Sequence, residues 1–344
     1  MRQLIKKIFT LTALALFWPM VVCAGEVQIQ NLSDFSVSSY GTHTLQQTHL
    51  WENSDPIVIQ KLLMQIADRS LKQTEKERLI RLLTADTGPF IWQTFQQSDV
   101  FLVWRMQTLF DVGAFESVIQ TIQSLAPTQR SLSLSSLLFN ALLMKGQAHE
   151  ACALLDEKKT GLNTDERRIV CLLAQGKESD ARLQYELYRE NNTDKTDWMY
   201  LGDIVLRERP LNPDFKKIVT PETIFLWILY GQVPLENQKS WVQEALVHLK
   251  PDLVPAKVSM SDEQKKTFSD ADLIKLADLK PEEKSIYPMD VYRAFGQAVA
   301  QQRHGEAVLW GILLLSQSDF YRPEITTLMD EMMGEGKPAD EQIH

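Results

Sequence analysis

Cysteine, histidine pairs and net positive charge are all scarce in this chain, and each shortage excludes a class of function. Three cysteines are spread over 344 residues. No C-x-x-C occurs among them, which argues against a catalytic dithiol. The six histidines are His43, His49, His149, His248, His304 and His344. No two share an i, i+4 helix face and no H-E-x-x-H occurs, so a surface role is expected for each and no metal is implied. Neither G-x-x-x-x-G-K-[ST] nor G-x-G-x-x-G is present, and G-x-S-x-G is missing too. The run Ser131, Ser133, Ser135 and Ser136 reads instead as a capped helix start. The formal net charge is −9. A chain this acidic lacks the clustered Lys/Arg that phosphate contacts need, so no nucleic acid is expected as a partner. The same balance disfavours an anionic membrane surface. No cofactor is expected.

Long apolar runs are absent beyond the first residues. Arg2, Lys6 and Lys7 precede an apolar stretch over 8–22, and Val22-Cys23-Ala24 has small residues where a signal peptidase reads them. Cleavage after Ala24 is expected, giving an exported, periplasmic or secreted chain. An uncleaved anchor is the rival reading, but the run falls short of the roughly 20 residues needed to span a bilayer. A lipoprotein reading through Cys23 would want a smaller residue than Val22. Losing 1–24 removes three basic and no acidic residues, taking the net charge from −9 to −12. The apolar run 307–315 is too short to span, and a buried helix explains it better.

What the chain does contain is one short pattern, three times, around Gly113, Gly146 and Gly176. Seven, four and three residues before each glycine stand apolar residues: Met106, Leu109 and Phe110; Phe139, Leu142 and Leu143; Ile169, Leu172 and Leu173. Five residues after comes Val118, Ala151 or Ala181, and nine after comes Ile122, Leu155 or Tyr185. The apolar trio occupies one helical face. Glycine supplies the positive φ that a helix end often needs. A small residue on the next helix then lets the two helices approach closely. The spacings of 33 and 30 residues match units of two helices joined by a tight turn.

This pattern resembles the tetratricopeptide repeat, which has a glycine before its turn and an alanine five residues later. Gly146–Ala151 and Gly176–Ala181 match that element, and Gly113–Val118 departs from it. The family's aromatic signature is mostly missing, and Pro127 is the one candidate for its closing proline. The resemblance covers about 90 residues of the chain and implies a degenerate, TPR-like all-α solenoid of antiparallel helical hairpins. Ala151-Cys152, the run from Cys171 to Gly176, and Leu50-Trp51 also resemble a group of exported alphaproteobacterial proteins without an assigned function.

Around the regular units, 98–190, the expected organisation is as follows. A polar arm covers 25–55, with a short strand as one option. The solenoid spans 56–250. Its first helix opens at Pro56 under a Ser54 or Asp55 cap, and its second at a Thr74–Glu77 capping box, ending at Gly88-Pro89. A further half-unit ends at Gly231, with Ile224, Trp227 and Ile228 in the apolar slots, and Asp197 to Gly202 could begin another. A linker with short helices covers 251–286, one of them capped near Ser261. A C-terminal hairpin, cap helix and tail cover 287–344. That hairpin pairs Val291–Gln302 with Glu306–Ser316 and turns at His304-Gly305; the cap helix starts at Pro323.

After cleavage only Cys152 and Cys171 remain. Their midpoint falls in the turn Thr160-Gly161-Leu162-Asn163, so two antiparallel helices would bring them level. A disulfide and a pair of small core residues are both consistent with this. Trp104 and Trp227 lie on apolar faces and read as core. Trp51 stands in polar sequence and is either a partner anchor or the contact that docks the arm. Glu150, Glu178 and Asp180 sit near repeat turns. A cell-wall glycan hydrolase would need such carboxylates, but acidic residues there more often favour the helix N-terminus that follows. The expected function is an exported, non-catalytic module binding a protein or peptide, with the first helices of the units lining its groove. A self-associating envelope structural factor and a cell-wall glycan hydrolase or its accessory are the alternatives.

Overall fold

A computed structural model describes residues 40–44, 50–87, 99–156, 161–192, 202–203, 206, 220–230, 239–250, 288–317 and 323–334. Within them the protein is all-α, with two strands of two residues each. The expected signal segment, the linker over 251–286, Gly88-Pro89 and Gly231 lie outside the described residues.

Helix α1 (Pro56–Ala67) starts as its sequence requires. Asp55 accepts a hydrogen bond from the Ile57 backbone N–H at 2.8 Å, and proline takes the first turn. Helix α2 (Gln73–Thr84) starts at Gln73, one residue ahead of the expected Thr74 cap. The N-cap is Lys72 and makes no side-chain cap bond. The capping box does not form, because Gln73 Nε2 donates to Glu77 Oε1 at 2.8 Å and Thr74 bonds its neighbour Glu75. The helix also ends at Thr84, and the chain passes into strand β2 (Ala85–Asp86), which pairs in parallel with β1 (His43–Thr44). The fully buried Arg105 holds this pairing: it donates to the carbonyls of Ala85, at 3.0 Å, and Tyr40. Burial lowers its pKa to about 9, with the nearby Asp86 carboxylate opposing that shift.

Six helices follow: α3 (Val100–Asp111), α4 (Phe115–Gln123), α5 (Leu132–Met144), α6 (Ala148–Ala153), α7 (Asp165–Ala174) and α8 (Glu178–Asn191). Each packs against the next in chain order. Ser131 caps α5 and Thr164 caps α7, each accepting a backbone N–H from three residues on. The turns α3–α4, α5–α6 and α7–α8 share one backbone geometry. Gly113, Gly146 and Gly176 have φ of 75°, 78° and 72°. In each, the glycine N–H bonds the carbonyl three residues back and the next N–H bonds the carbonyl five back. This is the paired closure of a helix C-terminus through a left-handed residue. Val118, Ala151 and Ala181 are completely buried where the helices meet.

The same turn occurs a fourth time without glycine. Helices α11 (Pro288–Ala300) and α12 (His304–Ser316) are joined through Gln302, whose φ is 56°. Gln302 N–H bonds the Val299 carbonyl, and Arg303 N–H bonds the Ala298 carbonyl. Phe295, Ala298 and Val299 fill the positions seven, four and three before, and buried Ala307 the position five after. The connection is therefore at Gln301–Arg303, ahead of the expected His304-Gly305, which belongs to α12. Helix α12 is apolar on nearly every face, and ten of its residues are buried. It contacts α1, α2, α11 and α13 (Pro323–Met332). Arg78 of α2 adds an ion pair to Asp330 of α13 at 2.9 Å.

Helices α9 (Pro221–Leu229) and α10 (Ser240–Leu249) fold back onto the preceding series. Helix α9 packs on α5 and α7, and α10 on α3 and α5. Trp241 of α10 meets Phe110 of α3 at 5.4 Å between ring centres. Arg167 of α7 pairs with Glu222 of α9 at 3.2 Å and lies over the Phe139 ring of α5.

Candidate functional site

The face formed by the first helices, α3, α5 and α7, is the groove expected to receive a partner. In the folded chain it carries α9 and α10 instead. Helix α10 crosses the turns themselves: a Cβ added to Gly113 would lie 2.7 Å from Glu244 Cβ, and one at Gly146 would lie 3.5 Å from Leu249. Glu244 also accepts from Lys76 Nζ at 3.1 Å, which ties α2 to the same seam. His248, four residues on, has its pKa lowered by burial and by Lys145 and Lys76, with Glu244 and Glu116 opposing. Asp111, at the end of α3, is held protonated up to a pKa of about 6. Burial is the main cause and Asp68 adds to it; the Gln107 hydrogen bond and Lys239 pull the other way.

Trp51 lies inside the packed body. Its side chain is completely buried and meets Phe101 edge-on at 5.2 Å. The N-terminal end of α12 covers it: Gly305 N–H bonds the Leu50 carbonyl, and a Cβ on Gly305 would lie 2.7 Å from Trp51 Cε3. The burial of Leu50, Trp51 and Ser54 is consistent with the docking expectation for Trp51, while Glu52 and Asn53 between them are exposed.

A solvent-open cleft lies beside the cysteine pair of α6 and α7. Cys152 on α6 and Cys171 on α7 have their sulfurs 2.08 Å apart and their Cα atoms 5.6 Å apart. They join the walls of a cleft of about 490 Å³ between α6, α7 and the start of α8. Leu155, Leu172 and the two sulfurs form its apolar part. Asn163, Gln175 and Gln184 contribute amides, Arg168 and Lys177 two cations, and Asp156 one carboxylate. Arg168 Nε donates to Asn163 Oδ1 at 2.5 Å, and Gln184 Nε2 to Asp165 Oδ1 at 3.2 Å. These bonds set the directions of two polar walls. Such a mixture of apolar surface and convergent polar groups is what ligand clefts present.

The cations and amides of this cleft were not singled out from the sequence. Arg168 on α7 and Lys177 at the start of α8 stand on either side of Cys171 in sequence, and both line the cleft. Glu150, Glu178 and Asp180 lie exposed in the first turns of α6 and α8, outside the cleft. Among the described residues no group of three or more His, Cys, Asp or Glu side chains could hold a metal ion, and no helix is long and apolar enough to cross a membrane. Compared with known proteins, the chain matches no family model, no curated protein and no solved structure.

Proposed function

We propose that the chain is an exported, TPR-like helical-repeat protein that binds a protein or peptide segment, with the disulfide-edged cleft as its contact surface. The observation that carries this reading is the cleft itself, open to solvent and built from apolar, amide and charged groups on three successive elements. The recurring turn at Gly113, Gly146, Gly176 and Gln302 supports the repeat reading. A cysteine pair at bonding distance suits an oxidising compartment, and so supports export. Moving the contact surface from the first-helix face to the cleft follows from the seat taken by α9 and α10. The test is capture from the native host's extract with the wild type and with Leu172→Glu. A partner retained by the wild type and lost by a variant of unchanged helical signal supports the reading. Equal retention refutes the placement.

A second reading, self-association, is favoured by Leu183 and Leu187. They stand four residues apart on α8 and are 63% and 45% exposed. Sedimentation at two concentrations separates the two: a concentration-independent monomer dismisses self-association.

A further inference from the structure

We propose that the cleft between α6, α7 and α8 takes an acidic peptide segment. Its carboxylates would meet Arg168 and Lys177, and an apolar side chain would rest on Leu155, Leu172 and the disulfide. The proposal rests on the binding reading above and adds the ligand's chemistry.

Charge sign is the first argument. The chain carries a formal net charge of −9, yet the cleft is lined by two cations against the single carboxylate of Asp156. Arg168 and Lys177 both stand exposed. The bond from Arg168 Nε to Asn163 fixes the guanidinium plane and leaves its terminal nitrogens for a bidentate carboxylate. Neither Arg168 nor Lys177 is ion-paired with a carboxylate among the described residues, unlike Arg167, which is spent on Glu222. Two cations with no carboxylate partner among the described residues, beside an apolar floor, favour negative charge locally.

The floor and the amides decide what bears that charge. A small inorganic anion would use the cations and waste the apolar part. A peptide uses both, with Gln175 able to donate to and accept from a ligand backbone. The volume of about 490 Å³ falls among ordinary ligand sites. Two cations are too few for a nucleic acid backbone, where each neutralised phosphate needs its own.

The test uses the full-length oxidised protein and three fluorescein-labelled peptides read by anisotropy: repeats of Leu-Glu-Leu-Asp, of Leu-Gln-Leu-Asn, and of Leu-Lys-Leu-Lys. The acidic peptide should bind about tenfold tighter than the neutral one, with the advantage shrinking as salt rises. The paired variant Arg168→Glu and Lys177→Glu should lose that preference and favour the basic peptide, with helical signal and disulfide intact. Equal binding of acidic and neutral peptides overturns the acidic class but leaves the binding reading in place. An unchanged preference in the charge-reversed variant overturns the assignment of these two residues. Binding of none of the peptides overturns the proposal, while the binding reading itself stands or falls on the capture experiment.

Discussion

Replacing the turn glycines one at a time with alanine should produce an uneven ladder of stability losses. Gly113, Gly146 and Gly176 all have φ between 72° and 78°. An alanine forced into that region costs about 1 kcal/mol at each site. What differs is the space. At Gly176 nothing lies within 4 Å of an added Cβ, and at Gly146 the nearest atom, 3.5 Å away, is the end of Leu249. At Gly113 the Cβ would lie 2.7 Å from Glu244 Cβ, an atom anchored to the backbone of α10. Pushing α10 outward adds about 1–2 kcal/mol. The expected losses are therefore about 1 kcal/mol for Gly176→Ala and Gly146→Ala, and about 2–3 kcal/mol for Gly113→Ala. Gln302→Gly should act in the opposite sense and stabilise by about 0.5–1 kcal/mol, because strain at φ 56° is relieved at some cost in chain entropy. Urea unfolding followed by far-UV circular dichroism measures all four. Equal losses at Gly113 and Gly176 would refute the seat of α10 across the first turn. A negligible loss at Gly176 would refute the left-handed turn.

Reducing the Cys152–Cys171 bond, or replacing both residues with serine, should lower stability by about 3 kcal/mol, since it frees a loop with a sequence separation of 19; denatured, unreduced protein should show no free thiol from this pair. Asp111→Asn should stabilise the protein in a pH-dependent way. The ordinary carboxyl value of 3.8 rises to about 6 in the fold, so the folded chain holds a proton the unfolded chain has lost, and stability falls as pH rises through that window. Above it the asparagine variant should be more stable by about 1–2 kcal/mol, allowing for solvent screening, and below pH ~4 the difference should vanish; unfolding at both ends checks the sign. Gly305→Ala should destabilise by about 1–3 kcal/mol and shift tryptophan emission, because its Cβ would press on Trp51 at 2.7 Å.

The positions of the three glycine turns were legible because a helix end is a local event. The apolar trio, the left-handed residue and the small residue that follows all lie in one short window. The fourth hairpin is also legible, but its turn is expected at His304-Gly305 and lies at Gln302, because glutamine fills the position that glycine marks elsewhere. Phe295, Ala298 and Val299 before it and Ala307 after it keep the rest of the pattern. Trp51 allows two readings in sequence because its neighbours are polar, whereas its cover comes from Gly305 in α12, far along the chain. The first-helix face shows the same limit. Apolar residues on α3 and α5 announce that a face is buried, but not that α9 and α10 bury it. The cleft's cations carry no sequence signal because Arg168 and Lys177 have no spacing signature, and only the folded chain shows that both line one cleft.

We place contact with a partner at the disulfide-edged cleft and not on the helices that fill the first-helix face. The direct measurement is site-specific photo-crosslinking in the native host, with the reactive residue placed at Gln184 in the cleft or at Val247, which is 44% exposed on α10. The account predicts a discrete protein adduct from Gln184, lost when Arg168 and Lys177 are charge-reversed, and none from Val247. An adduct from Val247 with none from Gln184 would contradict it.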